Sequence, residues 1–137
     1  MALIICISCV KSKRPRKSRA EDLYTSPLFR MSLQYAKSMN PDHILVLSAK
    51  HGVLALSDEV EPYEQTLKRM RKPERLAWAD KVLAQLRRYA DLDNDKLVFL
   101  AGVRYREHLI PHIRHSLVPM AGLAFGEQLQ WLKQQLQ

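Results

Sequence analysis

The residues with chemistry to offer follow short apolar runs. Ile44 to Leu47 lead into Ser48, Ala49, Lys50, His51 and Gly52, so a buried strand ends in a tight polar turn. Lys50 supplies a fixed positive charge, His51 a group that titrates near neutrality, and Ser48 a hydroxyl. Gly52 lets the chain reverse at positive φ or approach a ligand closely. Two further apolar runs end the same way. Ala2 to Ser8 opens into Cys9, Lys11 and Lys13, and Lys96 to Ala101 opens into Gly102, Arg104 and Tyr105. In open α/β sheets ligands bind outside the carboxyl ends of the strands, so cations, a thiol and a phenol at three such ends predict a site there. Each strand fixes where its loop begins, and each loop leaves N–H groups and side chains free to face a ligand.

The elements that must bring these ends together are legible in outline. Strands are predicted at Ala2 to Ser8, His43 to Ala49 and Lys96 to Ala101, with a fourth, short one at Leu117 to Pro119. Ser26-Pro27 is a cap followed by proline at the first helical position, and Leu28, Phe29, Leu33 and Ala36 then share a helical face up to Asn40-Pro41. A helix between two apolar strands implies a parallel βαβ unit with a right-handed crossover. Pro73 to Ala90 reads as a second long helix with Leu76, Ala79, Val82, Leu83 and Leu86 on its apolar face, and Glu127 to Leu136 as a closing amphipathic helix. Ala55 to Thr66 reads as irregular. The fold expected is a single α/β domain over residues 1–137, three-layered, with a mostly parallel four-stranded sheet and helices on both faces.

Charge narrows the partners. Twenty-two Lys and Arg against fourteen Asp and Glu leave +8, the balance of a protein that meets a polyanion. Six basic residues fall in the nine positions from Lys11 to Arg19, interrupted by Pro15, and five more lie between Lys68 and Arg75. The first run reads as a loop able to follow a sugar-phosphate backbone without a fixed geometry. Nucleic acid, DNA first, or a nucleotide is the partner expected. An anionic membrane or a phosphorylated small molecule is the second candidate that the charge allows; no membrane partner is expected, and no apolar run approaches the roughly 20 residues a span requires. Met1 to Cys9 lacks the basic lead of a secretory signal, and a cytoplasmic location follows.

Cys6 and Cys9 would face opposite sides of a regular strand, which points to a structural Cys6 and a functional Cys9 rather than a metal or redox pair. His108, His112 and His115 stand four and three apart, but Pro111 disturbs the helix between them and no carboxylate or cysteine stands in register except Glu107, so no metal is expected. No dinucleotide or phosphate-loop fingerprint occurs, and no cofactor is expected. Gly122 to Gln128 carries two glycines into the last helix, where N–H groups at Gly126 could face an anion.

Several of these pieces belong to a pattern: Cys9 with a nearby lysine, Leu23-Tyr24-x-Ser26-x-Leu28-Phe29, Leu47-Ser48-Ala49-Lys50-His51-Gly52-x-Leu54, Pro62-Tyr63-x-x-Thr66-Leu67, Ala101-Gly102-x-x-Tyr105 and Pro119-x-x-Gly122-x-x-x-Gly126-x-Gln128. Together they resemble a small domain family of unknown function found in bacterial and phage proteins. In layout the chain is more distantly similar to YaaA-type peroxide-stress proteins, linked to DNA protection, and to the α/β domains of base-exchanging tRNA enzymes and DNA glycosylases. The water-activating Asp and His motifs of the uracil-DNA glycosylases are missing, so their catalytic residues do not transfer.

What the resemblance implies is base processing on DNA or a modified nucleotide, by N-glycosidase or base-exchange chemistry, in repair or defence. Lys50 or His51 would serve the leaving base, and Glu61 or Asp58 the sugar or a water. Tyr24, Tyr63 or Tyr105 would stack on an unstacked base. Ser48 and Tyr63 are either site groups or buried hydrogen-bonding ones. Cys9, Lys11, Lys13, Tyr24, Ser26, Gly52, Gly102, Arg104, Tyr105, Gly126 and Gln128 complete the expected substrate-binding set. The alternatives are a non-enzymatic basic module that binds DNA or a host factor, and an enzyme acting on a free nucleotide.

Overall fold

A computed structural model describes all 137 residues. In chain order the strands are β1 (Leu3–Ser8), β2 (Ser18–Arg19), β3 (His43–Ser48), β4 (Gly52–Ala55), β5 (Glu59–Val60), β6 (Lys96–Leu100) and β7 (His115–Leu117). The helices are α1 (Ala20–Leu23), α2 (Pro27–Ser38), α3 (Lys72–Leu86), α4 (Val103–Arg106) and α5 (Phe125–Gln135), with 3-10 turns at Leu67–Arg69 and Ile110–His112.

The main sheet has five strands in the order β4-β3-β1-β6-β7. β1 pairs in parallel with β3 and β6, and β6 in parallel with β7. Flanked on both sides, β1 keeps Ile4 to Ile7 almost wholly out of water, which is why its sequence is an unbroken apolar run rather than an alternating one. Ser26 Oγ accepts from Phe29 N at 3.2 Å and starts α2, as the Ser-Pro pair predicts. α2 packs on β1 and against α5, and α3 packs on β4. No helix is long and apolar enough to cross a membrane.

Four expectations change. The sheet has five strands and not four, because Gly52–Ala55 turns back as β4 and pairs antiparallel with β3, Leu45 opposite Ala55 and Ser48 opposite Gly52. The last strand lies at His115–Leu117 and stops short of Pro119, which has no N–H for a ladder. Leu76, assigned to the apolar face of α3, is 42% exposed, and Trp78 takes its place in the core. The basic run is not an unconstrained loop. Arg14 N donates to Leu23 O at 2.8 Å, Thr25 N to Ser12 O at 3.0 Å, and Ser18 and Arg19 form a small antiparallel ladder with Val60 and Glu59.

The hairpin from β3 to β4 depends on Gly52 and Gln85. Gly52 has φ +77°, and a Cβ there would lie 2.1 Å from Gln85 Oε1. That same oxygen accepts from Val53 N at 2.8 Å, while Gln85 Nε2 donates to His51 O at 3.2 Å. One amide on α3 thus satisfies both sides of the turn. Gly52→Ala is expected to lose at least about 1–2 kcal/mol from the left-handed backbone alone. Gln85→Ala in that background should relieve the clash but not the φ penalty. Gly126, with open space around it and ordinary φ, should accept alanine within about 0.5 kcal/mol. Urea midpoints of the four proteins check this, and equal tolerance at positions 52 and 126 would contradict it.

Candidate active site

The carboxyl ends of β1, β3 and β6 lie side by side, because the strands are parallel neighbours. Cys9 N donates to Leu47 O at 2.9 Å and carries the pairing of β1 with β3 one residue past the strand. The side chains that meet at this edge are Cys9, Lys13, Tyr24, Ser48, Tyr63 and Tyr105, drawn from five separate segments.

At the centre is a chain of buried hydroxyls. Ser48 Oγ donates to Tyr63 OH at 2.7 Å, and Tyr63 OH lies 2.6 Å from Tyr24 OH in a second hydrogen bond. Ser48 Oγ accepts from His51 N at 3.1 Å, which folds the turn back onto the strand end, and Ser48 O accepts from Trp78 Nε1 at 2.9 Å. Ser48 and Tyr24 are fully buried and Tyr63 nearly so. Burial pushes the Tyr63 and Tyr24 phenols above their ordinary pKa, so both stay protonated at neutral pH.

Beside this chain lies the thiol. Cys9 Sγ donates to Tyr105 OH at 3.4 Å, and the same phenol oxygen accepts from Leu67 N at 3.4 Å. Tyr105 is held edge-on against Trp78 at 5.8 Å between ring centroids, and burial raises its pKa also. Cys6 is different. It is fully buried within β1, and desolvation pushes its thiol up to about 12, as suits an inert packing residue.

Lys13 bridges the buried cluster and the basic surface. Its Nζ donates to Val10 O at 2.8 Å and sits 4.6 Å from the centre of the Tyr63 ring and 5.6 Å from that of Tyr24. Desolvation lowers the ammonium's pKa, while Cys9 and Glu64 pull it back up. His51 stands edge-on to Tyr63 at 5.5 Å, and burial together with the Lys50 and Lys81 charges holds its pKa below the ordinary value. The imidazole is therefore neutral at pH 7 and able to accept a proton.

Other expected site residues are not part of this buried cluster. Lys50, Lys11 and Glu61 are exposed, and the carboxylate that acts on Lys13 belongs to Glu64. The rings of Tyr24, Tyr63 and Tyr105 are packed in the core and offer no face for a base to stack on, a correction that follows from their hydroxyls being bonded inside it, those of Tyr24 and Tyr63 to each other and that of Tyr105 to Cys9 and Leu67. Ser26 is committed as a helix cap and Gly52 to the hairpin. Arg104 is exposed and bonded to Glu107. Gly126 is exposed, and Gln128 Nε2 donates to Leu123 O at 2.9 Å. Gln128 and Gly102 line a small cleft with Ser8 at the end of β1 and Ser32 of α2, roomy enough for water. Trp78, Gln85 and Glu64 are the groups that sequence reasoning missed. Trp78 heads the series Trp78, Val82, Leu86 at helical spacing, which marks it as inward-facing; nothing local marks Gln85.

Tyr63→Phe is expected to cost about 1–3 kcal/mol, because it strips Ser48 and Tyr24 of a buried partner. With Tyr24→Phe the two losses should fall short of additivity. The sign of the alkaline response also follows. Phenols whose folded pKa is raised hold their protons longer than the unfolded chain does, so their stabilisation is complete below about pH 10 and is lost as pH rises beyond it. Denaturant titrations between neutral pH and pH 11 should show stability falling, less steeply in Tyr63→Phe; a flat profile would refute the burial of these phenols.

Comparison with known proteins agrees with the extent of these motifs. The uncharacterized protein YfjM of Bacillus subtilis (strain 168) is 36% identical over 91 residues, a stretch that covers 66% of this chain and 59% of that protein. No solved structure matches. The family of unknown function DUF6884 matches residues 4–134, and the chain belongs to that family.

Proposed function

We propose that the protein processes a base of a nucleic acid, DNA first, or of a nucleotide, by N-glycosidase or base-exchange chemistry. The observation that carries this is the position of Lys13. It belongs to a run of exposed cations suited to phosphates, yet its ammonium reaches inward over Tyr63 toward Cys9 and the hydroxyl chain. A polyanion held on Lys11, Arg14, Arg16 and Lys17 would have its sugar and base beside that ammonium.

Breaking an N-glycosidic bond leaves negative charge on the base and positive charge on the sugar. Lys13, its pKa lowered by desolvation, is suited to give a proton to the departing base, and neutral His51 to take one from a nucleophile. Glu64 supplies the negative charge for the sugar in this scheme. Since the tyrosine rings and hydroxyls are buried, the base is recognised by its edge, through the Lys13 ammonium, rather than by stacking. This reading takes right-handed crossovers to either side of β1 to place helices on both faces, so that three layers leave the strand ends open.

A second reading, a basic module that binds DNA or a host factor without chemistry, is favoured by one observation. All three tyrosines are fully committed within the core, and a site with no reactant needs no free groups. The test is to incubate the protein with DNA carrying natural and modified bases, and with free nucleotides, and to measure released base by mass spectrometry. Lys13→Gln should cut release by at least about 100-fold, and exposed Lys50→Ala far less. Absence of release from every substrate, with salt-sensitive DNA binding retained, would establish the binding module instead.

A further inference from the structure

A second charged cluster lies on the α4 side of the candidate site. Arg75 Nε, Arg104 Nη1 and His108 Nε2 converge on a single oxygen, Glu107 Oε1, at 3.6, 3.2 and 3.3 Å. Only the Arg104 contact is a hydrogen bond. Arg75 Nε and His108 Nε2 are buried and have no hydrogen-bond partner, and Arg75 is held in place because its Nη1 donates to Met70 O at 2.5 Å. Buried polar atoms without partners are uncommon, and two that lie beside one carboxylate oxygen without bonding it require a cause. One carboxylate oxygen cannot serve three nitrogens, and one negative charge does not balance two guanidiniums.

We propose that Arg75, Arg104 and His108 form a phosphate subsite, and that Glu107 occupies it when no ligand is bound. A phosphoryl group matches what Glu107 leaves unmet: it presents several acceptor oxygens in different directions, and planar guanidiniums bind such groups in fork geometry. Glu107 follows directly on the four-residue helix α4 and is partly exposed, so its carboxylate can swing to solvent. The 3-10 turn that carries exposed Lys68 and Arg69 packs against α4, and these cations favour the arrival of an anion. The subsite adjoins the candidate site through two packed side chains: Tyr105, next to Arg104, reaches Cys9, and Trp78, one turn along α3 from Arg75, stands against Tyr105. With the Lys11 to Arg19 run on the other side, the candidate site would lie between two phosphate-binding surfaces. That the phosphate belongs to a nucleic acid rests on the function proposed above; that the cluster binds phosphate does not.

The experiment is a nitrogen-resolved NMR titration of the full chain with inorganic phosphate against matched sodium chloride, then with a short single-stranded DNA. Phosphate should shift the Arg75 Nε–H and His108 ring resonances saturably, Glu107→Gln should tighten that binding several-fold, and Arg104→Gln should weaken it. In DNA binding, Arg104→Gln should lower the slope of log affinity against log salt by about 1. Resonances that respond to phosphate no more than to chloride, or a Glu107→Gln variant that binds phosphate more weakly, would overturn the subsite. If phosphate binds there and DNA does not, the subsite holds with a free phosphate as its ligand and the nucleic-acid reading fails. If DNA binds with an undiminished salt slope in Arg104→Gln and phosphate leaves both resonances unmoved, the subsite fails and the nucleic-acid reading survives.

Discussion

Three hydroxyls buried together find most of their hydrogen-bond partners in one another, and much of the molecule is arranged around that requirement. Ser48 comes from the end of β3, Tyr63 from the segment after β5, and Tyr24 from the segment after α1. A buried hydroxyl without a partner loses its water and gains nothing in return, so these segments are fixed at the point where their oxygens meet. The consequence spreads outward. Tyr24 forms an isolated bridge with Lys13 and so holds the root of the basic run, while Tyr63 carries the Lys13 ammonium on its ring face. Loops that composition alone would leave free are thereby fixed to the core.

The sheet supplies the frame for this meeting. Because β1 lies between β3 and β6, its loop is flanked by theirs, and Cys9 is held between the Ser48 turn and Tyr105. The antiparallel hairpin completes the arrangement, since Gln85 joins it to α3 and Trp78 of the same helix bonds the carbonyl of Ser48. One helix therefore sets the turn from two directions.

Charge is organised in the same economical way. Lys13 turns inward from an otherwise solvated run, and Arg75 turns inward from a second one, where it meets Glu107. Each basic surface thus has one cation drawn partly out of water toward the chemistry-bearing edge. A cation held there interacts more strongly with a ligand than an exposed one, because less water screens it.

Composition and periodicity by themselves determined the strands that are buried on both faces, the capped start of α2, the excess of positive charge and the location of polar residues at strand ends. These follow from local chemistry: an unbroken apolar run such as Ile4 to Ile7 has few other stable fates, and Ser26-Pro27 starts a helix wherever it lies. The tertiary structure alone decided which polar residues meet. Gly52 to Ala55 is too short to announce a strand and becomes one only beside β3. Lys50 and Lys13 look alike in sequence, yet one faces water and the other the tyrosines, since the direction of a side chain in a turn depends on what that turn packs against. Glu64 rather than Glu61 acts on Lys13, and Gln85 reaches a turn more than thirty residues away, for the same reason. Hydrogen bonds between distant segments depend on geometry that no local window of residues contains.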